Sequence, residues 1–192
     1  MSDYILAYDF GTGATKAALI DCAGKFIAGS IYNYPLSAPS LGYAEQNPED
    51  YWRATCAVTG NVLKESGISG RHIKAISFGT QGLGIIPVDK NGEVLYNNIT
   101  WVDSRAGKQA KKINGLLGFE TLSAGDVVPK LLWLKENKPE VYERTQYFLD
   151  CTGYLIFKST GISAMEATNS GPYSFDLEMR VRKERIYDTA GI

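Results

Sequence analysis

The chain has 192 residues, 44% of them hydrophobic and 21% charged, with a formal net charge of −1. That composition is ordinary for one globular domain or two small ones, and the balanced charge gives no bulk case for binding nucleic acid or an anionic membrane. Cys22, Cys56 and Cys151 are odd in number, widely spaced and form no C-x-x-C pair, which argues against a disulfide framework or zinc site and fits a reducing cytoplasm; no leader-like N-terminus and no membrane-length apolar run is present.

Tyr4–Asp9, Lys16–Cys22 and Lys25–Tyr34 read as three strands joined by tight turns, the second turn at Ala23-Gly24. Consecutive hairpins predict a mixed sheet with an antiparallel edge. Pro35 to Gln46 is an expected loop. Asn47-Pro48-Glu49-Asp50 has the cap, the proline and the acids of a helix start, and that helix stops near Gly67. Ile73–Phe78 is expected to be a buried strand. Ile85–Val88 is another, followed by a turn at Asp89-Lys90-Asn91-Gly92 and by Val94-Leu95-Tyr96.

The second half is mainly helical. Ser104 is placed to cap a helix through Lys112, Val128–Lys135 is an apolar helix, and Pro139 opens the next one. Tyr147–Leu149 is a short strand, and Gly153–Lys158 is a helix ended by Gly161. The basic spots at Lys108, Lys111, Lys112 and Arg180–Arg185 are accompanied by acidic or polar residues and read as solvated helix faces. Strands and helices alternate unevenly, which points to an α/β domain with helices on its sheet.

The turn between the first two strands carries the strongest chemical signal. Asp9 ends a strand, and Gly11, Thr12, Gly13, Ala14, Thr15 and Lys16 follow. Glycines allow a tight turn and close approach of a ligand, successive N–H groups make an anion-binding concavity, and Lys16 adds a point charge suited to phosphate. Asp9 can hold Mg²⁺, which takes few carboxylates and keeps waters. Neither G-x-x-x-x-G-K-[ST] nor G-x-G-x-x-G is present, so this is a hairpin loop and not a helix N-terminus. An ordinary glycine-containing hairpin is the plainer alternative.

Taken in order, these segments resemble the N-terminal domain of the FGGY carbohydrate kinases, in the actin-like ATPase superfamily, with the xylulokinase branch most similar. The residues that carry the resemblance are Asp9–Lys16, Glu45–Glu49 with Trp52, Gln81–Gly84, Ile99–Arg105, Pro129–Trp133, Asn137–Glu140 and Ala167–Ser170. The resemblance implies a ribonuclease-H-like α/β fold: a mixed sheet with an antiparallel hairpin edge and flanking helices. It implies ATP- and Mg²⁺-dependent phosphoryl transfer to a hydroxyl of an open-chain ketose or polyol, D-xylulose first, in the cytoplasm. Asp9 would assist the metal, and Gly11–Lys16 would face the phosphates. Gln81, Gly82, Leu83, Trp101, Asp103 and Arg105 mark the sugar side, the last two directly or through other residues. Trp101 is as plausible in a core as stacked on a sugar.

Two departures accompany the resemblance. The family's catalytic Asp lies in a Gly-x-x-Asp-like segment after the Ala167–Ser170 region, and none is found here. Residues 1–192 are therefore expected to be the N-terminal part of a kinase whose nucleotide domain is separate. They are expected to be inactive alone and to self-associate, with a homo-oligomer as a possible state. The sugar segment also has Gly82-Leu83 where xylulokinases carry Met-His and glycerol kinase carries Arg-Glu. That opens L-xylulose, ribulose, a glycerol-like polyol or a deoxy sugar as substrates. A non-catalytic sugar- or phosphate-binding module is the alternative of another class. Elsewhere, Trp52 and Trp133 read as core, His72 as a lone surface residue and Lys130 as structural or solvent-facing. Asp126 and Asp150 lack partners for acid–base work.

Overall fold

Alternation of side chains over the first 34 residues builds an antiparallel meander of β1 (Tyr4–Phe10), β2 (Ala14–Asp21) and β3 (Phe26–Asn33). The computed structural model describes residues 3–118, 120–170, 175, 176, 178 and 181–192. Arg180, at the head of the basic run noted above, lies outside these residues. The chain divides into two units.

The first unit comprises residues up to Leu36 and Glu49–Gln81. Its sheet is mixed: β5 (Ile73–Thr80) runs parallel to β1, in the order β3-β2-β1-β5. Between β3 and β5 in sequence comes α1 (Pro48–Ser66), with proline at its start, Glu49 and Asp50 in its first turn, and Gly67 at positive φ beyond its end. Tyr51, Ala54, Val58 and Val62 recur at helical spacing and are fully buried. They face the stripe of Leu6, Tyr8, Phe10, Ala17 and Leu19, also buried. Tyr8 and Thr59 share a hydroxyl–hydroxyl bond of 2.5 Å, and the Phe10 and Tyr51 rings meet edge to face at 6.3 Å.

The expectation for β5 needs correcting in one respect. The strand is present, but Lys74–Ser77 are exposed and Ile76 is 55% accessible. Parallel strands are normally covered on both faces. Here β5 stands at the end of the strand order, and the stripe that α1 covers is centred on β1 and β2.

The second unit comprises Ser37–Pro48 and Gly82–Ile192. Its strands are short pairs. β4 (Glu45–Gln46) pairs with β7 (Asn98–Ile99), β6 (Ile86–Val88) with β8 (Tyr147–Leu149), and β9 (Phe175–Asp176) with β10 (Val181–Arg182). β4 falls in the expected Pro35–Gln46 loop; two residues are too few for an alternating pattern to register. The helices are α2 (Gly107–Leu117), α3 (Val127–Asn137), α4 (Pro139–Arg144), α5 (Cys151–Thr160) and α6 (Glu184–Ala190). α3 is buried along Val127–Leu134, on every side, as expected of a central helix. Around it pack Ile85, Ile99, Ile113, Leu117, Ile186 and Tyr187.

Ser104 does not cap α2, which starts after Ala106; its hydroxyl donates to the Gly42 carbonyl instead. Asp150 is the N-cap of α5, its Oδ1 accepting the Gly153 N–H at 2.6 Å. No helix among the described residues is long and apolar enough to cross a membrane.

Candidate active site

The β1–β2 hairpin closes over Gly11-Thr12-Gly13, and the strand register sets its chemistry. Asp9 stands opposite Lys16, and Phe10 opposite Thr15. Side chains alternate faces along a strand, so Asp9 and Lys16 share the exposed face while Phe10 and Thr15 share the face under α1. Asp9 and Lys16 are more than half exposed and lie 3.4 Å apart. Thr15 is fully buried, with no hydrogen-bond partner for Oγ1 among the described residues. Its hydroxyl is therefore turned away from the ligand side expected of it. The hydroxyl at the loop is that of Thr12, which donates to Gln81 Oε1 at 3.4 Å.

Tyr34 braces the loop twice. Its hydroxyl donates to the Gly11 carbonyl at 2.7 Å, and its N–H to the Gly13 carbonyl at 3.1 Å. C=O and N–H point oppositely across a trans peptide. Fixing those two carbonyls inward turns the N–H groups of Thr12 and Ala14 the other way, which is the polarity an anion requires. Neither Gly11 nor Gly13 has positive φ, so the turn itself does not demand glycine at either place. A Cβ on Gly13 would meet nothing within 4 Å. The open space there suits close approach of a ligand. Gln81 joins this group, its N–H donating to the Phe10 carbonyl at 2.9 Å and its Nε2 to the Tyr51 hydroxyl at 3.2 Å. Among the described residues, no three His, Cys, Asp or Glu side chains cluster as a metal cage. Asp9 alone fits a Mg²⁺ ion that draws its remaining ligands from phosphate and water.

The sugar-side candidates Gly82, Leu83, Trp101, Asp103 and Arg105 belong to the second unit. Leu83 has φ 58, the one positive value at a non-glycine position among the described residues. Such backbone costs about 1–3 kcal/mol and persists where surroundings enforce it. Its N–H donates to the Asn169 carbonyl at 2.9 Å, and its carbonyl accepts from Lys130 Nζ at 2.7 Å. Trp101 is 49% exposed.

Asp103 and Arg105 are engaged with other protein groups. The Arg105 side chain is 1% exposed and that of Asp103 not at all. Arg105 Nε and Nη2 fork onto the Asp103 carboxylate, with Nη2 at 2.7 Å from Oδ2, the bidentate geometry that favours arginine. Its Nη1 reaches Glu45 Oε1 at 2.8 Å, and its guanidinium lies 3.8 Å over the Tyr43 ring and 4.8 Å from the Trp133 ring. Glu45 also accepts from the Tyr96 hydroxyl and Asn97 Nδ2, and Asp103 from the Ala44 N–H. Burial opposes the Arg105 charge, but the bonds to Asp103 and Glu45 outweigh it and hold the group above its ordinary value. Of the two roles expected for this pair, action through other residues is the one the geometry favours.

Lys130 is also fully buried, its Nζ donating to the carbonyls of Leu83 and Gly125 at 2.7 Å each. Burial pushes its pKa down to about 7, against the pull of Asp103 and Asp126. Sequence reasoning does not single out Tyr34 as the brace of the hairpin loop in the first unit. In the second unit it does not give the contacts of Glu45, Lys130 and Asn169 either, although the family motifs contain all three; a lysine within an otherwise apolar helix is a further hint.

Residues 4–192 match the sequence profile of the N-terminal domain of the FGGY family of carbohydrate kinases. The chain is 32% identical to the xylulose kinase of Bacillus subtilis (strain 168) over 174 residues, 87% of this chain and 35% of that one. It is 32% identical to the xylulose kinase of Lactococcus lactis subsp. lactis (strain IL1403) over 197 residues, 98% of this chain and 39% of that one. A solved gluconate kinase from Lactobacillus acidophilus superposes with a TM-score of 0.87 at 30% identity, covering all of this chain and 40% of the other. The chain therefore spans well under half the length of these relatives. On the profile match and the identities together, the chain belongs to the FGGY family of carbohydrate kinases, through their N-terminal domain.

Proposed function

We propose that residues 1–192 are the N-terminal part of a longer cytoplasmic, ATP-dependent sugar kinase that phosphorylates a hydroxyl of an open-chain ketose or polyol, D-xylulose first. The observation that carries this reading is the hairpin mouth. There a carboxylate and an ammonium stand side by side on the exposed face, above a loop whose carbonyls Tyr34 holds inward. Phosphoryl transfer is catalysed mainly by positioning and charge neutralisation. Lys16 and the loop N–H groups serve to grip and orient the phosphates, and Thr12 sits among them. Asp9 would hold Mg²⁺, which neutralises phosphate charge when bound. In the reaction the sugar oxygen bonds to the γ-phosphorus, the bond to the ADP oxygen breaks, and the hydroxyl proton passes to a base proposed to lie beyond these residues. Similarity to xylulose kinases over most of this chain supports D-xylulose.

A second reading, D-gluconate as acceptor, has support in the gluconate kinase likeness and in Gly82-Leu83, whose side chains offer no hydrogen bond to a ketose. Assay of the full-length gene product against D-xylulose, L-xylulose, D-ribulose, D-gluconate and glycerol discriminates the two. D-xylulose is expected to give the highest kcat/KM, and Asp9→Asn to lower it about 100-fold or more, as loss of an electrostatic catalytic group does. No turnover of any of the five would return the chain to a non-catalytic binding role.

A further inference from the structure

Two segments of the second unit meet on one buried ammonium, and two more brace them. Lys130 Nζ donates to the carbonyl of Leu83, in the connection before β6, and to that of Gly125, in the loop before α3. A Cβ on Gly125 would lie 2.8 Å from the Trp101 carbonyl oxygen, so that loop is pressed against the backbone of the exposed tryptophan. Leu83 is held from its other side by the Asn169 carbonyl. Asn169 is in turn tied through Nδ2 to Thr152 Oγ1 at 3.1 Å. Leu83 thus sits in left-handed backbone with both its polar groups claimed by residues far away in sequence. Strained backbone held from two sides marks a conformation the fold maintains.

We propose that Lys130 is a positioning residue for the sugar end of the site. Resting on the kinase reading above, it clamps Leu83 in its left-handed conformation and ties Leu83 to the Gly125 loop beside Trp101. The ammonium touches neither sugar nor phosphate. It sets the direction of the Gly82–Leu83 backbone and its distance from Trp101. A lysine suits the task because its compact head can donate to two carbonyls that do not lie in one plane, which an arginine fork cannot match.

The test uses the full-length gene product as Lys130→Met, Leu83→Gly and the double variant, with D-xylulose, D-gluconate and glycerol as probes. Lys130→Met is expected to raise the sugar KM about tenfold, the size of coupling within one hydrogen-bond network, while the ATP KM holds. Leu83→Gly alone serves as the reference, and adding Lys130→Met to it is expected to raise the sugar KM by less than about twofold, because glycine adopts positive φ without a clamp. A lysine that merely fills the core would raise it about tenfold in either background. The same rise in both backgrounds overturns the proposal, as does an equal rise in the sugar and ATP KM values on Lys130→Met. Should Lys130→Met fail to fold, recovery of a folded double variant upholds the clamp, and failure of both overturns it. If the parent phosphorylates none of the probes, the kinase reading falls separately. Amide hydrogen exchange then decides the clamp: selective acceleration at the Leu83 N–H in Lys130→Met supports it, and unchanged protection refutes it.

Discussion

Replacing Arg105 by methionine removes one cation from between two buried carboxylates. Asp103 loses a forked partner with a closest approach of 2.7 Å, Glu45 loses one at 2.8 Å, and both side chains are at least nine-tenths buried. Neither acid can turn to water. Removing one member of such a set costs about 3–5 kcal/mol, most of it the penalty for the charge left behind. The lost stacking over Tyr43 and Trp133 adds about 1–2 kcal/mol, for a cation largely shielded from solvent. The total is about 4–7 kcal/mol, a large part of the stability of an ordinary domain. Arg105→Lys keeps the charge but not the fork or the stacked plane, and about 2–4 kcal/mol is expected, from one charged hydrogen bond and one ring contact. The triple change Arg105→Met, Glu45→Gln, Asp103→Asn recovers part of the loss, because it leaves no buried charge unpaired. Urea unfolding followed by tryptophan fluorescence measures each step, with Trp133 beside the cluster as reporter. An Arg105→Met loss under about 1 kcal/mol, the range of exposed pairs, would refute the reasoning.

The remaining predictions read other parts of the molecule. Lys130 has an ordinary pKa of 10.5 and a folded value of about 7. Between those values the folded chain binds fewer protons than the unfolded one, so this group makes stability rise with pH, by at most about 1.4 kcal/mol per unit. The contribution saturates below 7. The charged groups that face it are Asp103, Asp126 and Arg105. The stability difference between the parent chain and Lys130→Met, measured by urea unfolding from pH 6 to 10, is expected to grow in the parent's favour as pH rises; a flat difference would mean the ammonium is not desolvated. Thr15→Val removes a buried hydroxyl with no partner among the described residues, so a gain of about 1 kcal/mol is expected in the same unfolding assay, with the ATP KM unchanged. A raised ATP KM would return Thr15 to the phosphate site. Gly13→Ala meets open space, so its melting temperature should stay within about 2 °C of the parent while the ATP KM rises. A normal ATP KM would mean that no phosphate comes close at Gly13.

The reading of the chain succeeded where the physics is local. The hairpin turns, the proline-led start of α1 and the glycine stops at Gly67 and Gly161 depend on a few adjacent residues, and each lies where the sequence places it. The family was legible for a similar reason: its motifs are short runs in a set order. The errors occur where a distant partner decides. Ile73–Phe78 has the composition of a covered strand, but cover depends on which neighbours stack on it. The tie from Arg105 to Glu45, some sixty positions earlier, likewise depends on distant contact, and it favours the indirect one of the two roles expected for Asp103 and Arg105.

Sequence alone thus determined the hairpin that carries Asp9 and Lys16, because strand alternation is a property of the backbone. It also determined the family, because ordered motifs survive without knowledge of contacts. Tertiary structure decided which face of that hairpin is buried, turning Lys16 outward and Thr15 inward, because α1 covers only one side. It also decided that the lysine of α3 is a buried cation holding Leu83, because desolvation and carbonyl geometry come from segments that meet only in the folded chain.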